Sequence, residues 1–135
     1  FAQRMINEHQ NFINQLQQAS AAAAPAGQVT GTSDQLVQIV SQVGDRRLQL
    51  MQGELSTKQG VQFDQAFMGA QLADHISMLA ALQTAAGHTS GQLRQVIDQG
   101  IQHTESHLDQ ARSIMQQLEQ TAANQAKQQD QPQQK

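Results

Sequence analysis

The stretch MINEHQNFINQL, from Met5 to Leu16, decides how this chain folds. Met5, Ile6, His9, Phe12, Ile13 and Leu16 recur at intervals of three and four residues, which stacks their side chains on one face of a helix. On a strand the same residues would fall on both faces of the sheet, and no part of the chain alternates in strand fashion for long. Beyond Leu16, Pro25, Gly27 and Gly31 predict a loop, and Thr32 or Ser33 with Gln35 predicts the capped start of a second helix. That helix carries a stripe of Leu36, Val37, Val40, Gly44, Leu48, Met51 and Leu55, with stop signals at Lys58 and Gly60.

A third apolar face runs through Phe63, Phe67, Ala70, Leu72, Ile76, Leu79 and Leu82 and closes at Gly87. Thr89 and Gln92 predict another capping box before a fourth: Leu93, Val96, Ile97, Ile101, Leu108, Ala111, Ile114, Met115 and Leu118. Four helices of about 25 residues, each about 37 Å long, joined by loops of under about ten residues, predict an all-α antiparallel helical bundle over residues 1–123. Residues 124–135 are rich in glutamine, hold Pro132 and lack any large apolar side chain, so they predict a frayed or disordered tail.

Composition narrows the chemistry. Of 135 residues, thirty are glutamine and eighteen alanine, charged residues make up 14%, and the net charge is -3. Glutamine and alanine favour helices without adding charge. Nucleic-acid binding needs clustered Lys and Arg, and the single adjacent basic pair is Arg46 and Arg47. The absence of cysteine excludes disulfides, thiolate metal sites and cysteine nucleophiles. No apolar run reaches the 18 or so residues that span a bilayer. The chain opens on Phe1 rather than Met, already inside an apolar pattern, so the natural start is expected upstream, with room there for a signal peptide. A chain without cysteine is compatible with a bacterial periplasm or exterior.

The histidines are the chemistry-bearing residues. A shift of 66 residues lays Ile6 on Leu72, Glu8 on Asp74, His9 on His75, Phe12 on Met78, Ile13 on Leu79 and Leu16 on Leu82, so an acid–histidine pair repeats within an apolar pattern. His9 and His75 are flanked by apolar residues one turn to either side, and His107 lies at the edge of the fourth stripe, near Glu105. A ring in an apolar interface must satisfy two nitrogens, through a carboxylate or carbonyl on a neighbouring helix or through a metal ion. His103 and His107 share a helix face but lack the glutamate that follows the first histidine of a zinc-protease helix. His103 is expected to be exposed among glutamines, and His88 to sit in a turn. The residues three before His9, His75 and His107 are Ile6, Leu72 and Thr104, which rules out the carboxylate pattern of a di-iron bundle. No phosphate loop, nucleophile elbow or ordered triad is present, so an enzymatic role is not expected. The five methionines read as core filler.

Three segments carry a resemblance: Phe1-Ala2-Gln3-Arg4-Met5-Ile6-Asn7-Glu8-His9, then Phe63-Asp64-Gln65-Ala66-Phe67 with Asp74-His75, and Glu105-Ser106-His107-Leu108. In this order they resemble the ferritin-like bacterial family called domain of unknown function 4142, many of whose members are described as exported or outer-membrane proteins. The resemblance covers Phe1 to about Leu118. It implies a ferritin-like bundle, a periplasmic or exported location and a further helix ahead of Phe1, whereas the segment from Ser33 to Val43 is longer than the family's usual connection. It also carries over His9, His75 and His107 as recurring histidines. No activity comes with it, because fold does not imply function.

Three readings stand side by side. In the first, this is a non-enzymatic helical protein of the bacterial envelope whose buried acid–histidine pairs are structural or bind a metal weakly. In the second, His9, His75 and His107, with Glu8, Asp74 or Glu105, converge on one transition metal ion. In the third, glutamine-rich faces make the chain a helical interaction module that forms homo-oligomers. Ring separation discriminates the first two: three nitrogens must surround one point at about 2.0 to 2.1 Å for a zinc-like ion, and rings more than about 10 Å apart exclude it.

Overall fold

In a computed structural model the described residues are 1–23 and 32–129, with side chains described for residues 1–22 and 38–127. Among them lie four α-helices and no strand: α1 (Ala2–Ala23), α2 (Thr32–Ser56), α3 (Gly60–Ala86) and α4 (Gly91–Gln129). The all-α bundle expected from the periodicity is the fold of the chain. The loop predicted at Pro25 to Gly31, and the side chains of the capping box at Thr32 and Ser33, lie outside the described residues. The expected boundary after residue 123 falls inside α4, which continues to Gln129.

The chain divides into two compact units. One holds α1, the part of α3 from His75 onward and α4 as far as His107; the other holds α2, α3 as far as Asp74 and α4 from Leu108 onward. In the first unit Leu82, Ala86 and Ile97 form a buried cluster, against which Phe12, Leu16, Ala85, Leu93 and Ile101 pack. Phe12 reaches the backbone of α4 at Gly100, where a Cβ would overlap the tip of its ring. The glycine therefore trades helix propensity for close approach.

The buried and half-buried positions follow a narrow seam. On α1 it runs through Met5, Phe12, Leu16 and Ala19, with His9 on the same line but exposed; on α3 through Met68, Leu72, His75, Leu79, Leu82 and Ala86; on α4 through Ile97, Gly100, Thr104, His107 and Ala111. Alternating steps of three and four residues are those of a coiled-coil seam, which is narrower than a full amphipathic stripe. Ile6 and Ile13, expected on the core face of α1, are consequently exposed at its flank.

The turn between α3 and α4 departs from the expected capping box. The Thr89 hydroxyl donates to the Ala85 carbonyl at 3.1 Å, and Arg94 Nη1 donates to the Ala86 carbonyl at 2.6 Å. Both satisfy the orphan carbonyls at the end of α3, where a cation also complements the helix dipole. Gly91, at φ 60, lets the backbone turn into α4. The second unit shows a different departure. Val40 and Leu48, expected in the core stripe of α2, are 64% and 57% exposed, while Met51 and Leu55 are half-buried.

Candidate metal centre

Each of the three seams carries one histidine, and all three histidines belong to the first unit. His9 follows Met5 by one turn on α1, His75 precedes Leu79 and Leu82 on α3, and His107 follows Thr104 on α4. Helical spacing thus turns all three rings toward the same interface. His75 and His107 are 4% and 2% exposed, and His9 closes the group from the solvent side.

The rings form a nearly equilateral triangle. Centres are 5.6 Å apart for His9 and His75, 5.6 Å for His9 and His107, and 5.4 Å for His75 and His107. One nitrogen from each ring lies within 4.8 Å of the other two. A tetrahedral ion with bonds of about 2.0 to 2.1 Å sets its nitrogens about 3.3 Å apart and the ring centres about 5 Å apart. The ring centres already approach that arrangement, and small ring rotations would bring the nitrogens in.

Electrostatics favour the ligating form of two rings. Burial pushes His9 below the ordinary histidine value, helped by the charges that His75 and His107 would carry, and opposed by Glu8. Burial likewise lowers His107, against the opposing bond and charge of Glu8. Neutral imidazole is the form that offers a lone pair to a metal.

The carboxylates singled out in the sequence are placed differently from one another. Glu8 accepts from Arg4 Nε through Oε1 at 2.8 Å and engages Nε2 of His107 through Oε2. Its carboxyl is held below the usual range by Arg4 first and His107 second. Asp74 forms an ion pair with Arg47 of α2. Glu105 is exposed on α4, as is His103, whose ring centre lies 6.4 Å from that of His107. His88 is exposed in the turn after α3. Among the described residues, the donors that converge are His9, His75 and His107.

Sequence reading missed Arg4, although its i,i+4 spacing to Glu8 was a usable signal. It also missed Arg47, 27 positions before Asp74, for which local pattern offered none. Gly100 was legible only as a glycine inside a helix, a mark of close backbone approach.

In this geometry, three neutral nitrogens suit a borderline divalent ion such as zinc, copper or nickel better than magnesium or calcium, which prefer oxygen. Among the described residues no helix is long and apolar enough to cross a membrane. No curated protein and no solved structure matches the chain. Residues 1–114 match the family model described as Domain of unknown function (DUF4142), and the chain belongs to that family.

Proposed function

We propose that this protein binds one transition metal ion through His9, His75 and His107, as a ferritin-like, all-helical protein of the bacterial envelope. The observation that carries the reading is the convergence of three ring nitrogens, from three helical segments, within 4.8 Å. Two of the rings are among the most buried polar side chains of the described residues, and burial makes a ring nitrogen costly unless a hydrogen bond or an ion engages it. The envelope location rests on the resemblance to exported family members, and the absence of cysteine is compatible with it.

A second reading has its own support. The bond between Glu8 and His107 shows an acid satisfying a buried histidine, as a structural role requires. Elemental analysis separates the two. Protein purified without chelator or affinity tag, then dialysed against zinc, copper or nickel, is expected to retain about one ion per chain. His9→Ala, His75→Ala and His107→Ala should each abolish retention. A metal content unchanged by all three would leave the histidines as structural residues.

A further inference from the structure

Glu8 precedes His9 in the chain, yet its carboxylate serves the histidine 99 residues away. Oε2 lies on Nε2 of His107, and Oε1 is held by Arg4 one helical turn earlier. An imidazole has two nitrogens, so with Nε2 engaged the nitrogen His107 can offer an ion is Nδ1. Its ring is almost wholly buried, which limits the water that could hold Nε2 instead. The ring torsion is broad and close to two-fold, so without a partner the ring turns over and exchanges its two edges. A fixed carboxylate removes that freedom and sets the tautomer.

Charge points the same way. Three neutral imidazoles leave both positive charges of a divalent ion uncompensated in a partly buried site. Glu8 brings one negative charge to the far edge of a ligand ring.

We propose that Glu8 is the positioning carboxylate of the metal centre, acting on the ion through His107 rather than as a ligand itself, with Arg4 holding Glu8 in place. This rests on the metal-binding reading above. Both oxygens of Glu8 are already engaged, Oε1 by Arg4 and Oε2 by His107, so direct ligation would compete with these bonds.

The test uses the whole chain, with Zn2+ and Co2+ as probes, in Glu8→Gln, Glu8→Ala and Arg4→Ala. Zinc affinity is measured by chelator competition, coordination by the visible spectrum of the cobalt form, and the His107 tautomer in the metal-free protein by 1H–15N correlation. Glu8→Gln keeps shape and an acceptor and is expected to fold. It should weaken zinc binding about 10- to 100-fold at unchanged cobalt coordination number. Glu8→Ala should weaken it further and mix the His107 tautomers, and Arg4→Ala should give a smaller loss in the same direction. Equal affinities and an unchanged tautomer in all three variants would overturn the proposal. So would a cobalt spectrum in Glu8→Ala that reports one protein donor fewer, since Glu8 would then be a ligand. A wild-type chain that binds neither ion refutes the metal reading instead; the tautomer still reports on Glu8.

Discussion

The ring of His107 stands edge-on to the ring of His75, at 83° and 5.4 Å between centres. Both rings are less than a tenth exposed, so a positive charge on His107 would lie in a buried interface. Burial and the neighbouring rings therefore oppose charge on His9 and His107, and Glu8 works against them at both, bonding directly to His107.

Acid should loosen the fold before most carboxylates titrate. His9 and His107 lie below 6.5 in the folded chain, so the unfolded chain binds more protons. Their contribution is complete above about pH 6.5 and is lost as pH falls through the folded values. Glu8, lowered from 4.5, acts in the same direction further down. The groups facing these rings are His75, Glu8, Arg4 and, at its edge, His103. Urea midpoints should decline between pH 7.5 and pH 5, and His107→Gln should flatten that decline. A midpoint constant over this range would mean that His9 and His107 are not lowered in the folded chain.

Metal should couple to stability by mass action. At free zinc 100 times its dissociation constant, an ion that binds only the folded chain adds about 2.7 kcal/mol, or roughly 10 °C in Tm. Because the ligands must be deprotonated, the shift should shrink from pH 7.5 to pH 5. A similar shift in His75→Ala would mean that zinc binds elsewhere.

How far the sequence foretold this arrangement differs from one element to the next. Periodicity placed α1, α3 and α4 and put His9, His75 and His107 on helix faces, because helical spacing is a local property. It overstated the width of those faces: Ile6 and Ile13 lie off the buried line. Burial depends on what packs opposite, and on α2 the pattern of Val40 and Leu48 yielded a helix without yielding a core. The partners of the acids, Glu8 with His107 and Asp74 with Arg47, join residues distant in sequence and left no trace in spacing.

Gly100→Ala should destabilise the protein although alanine is the better helix former by about 1 kcal/mol. The new Cβ would overlap the rigid tip of Phe12, which packs on the Leu82 cluster. Displacing that ring should cost about 1 to 3 kcal/mol, enough to outweigh the propensity gain. Phe12→Leu in the same chain should recover part of the loss. Denaturant titration of the two single variants and the double variant gives the coupling, and additive effects would mean that Phe12 and Gly100 do not meet.

Arg94→Ala should cost about 1 kcal/mol, because it strips the Ala86 carbonyl of its donor at the end of α3 and removes a cation from that terminus. The companion pair with Asp98 is exposed and contributes little. Asp98→Ala should therefore change thermal stability by less than about 0.5 kcal/mol. The comparison isolates the cap: equal losses in the two variants would assign Arg94's contribution to the ion pair, whereas a loss confined to Arg94→Ala assigns it to the helix end that sets the turn from α3 into α4.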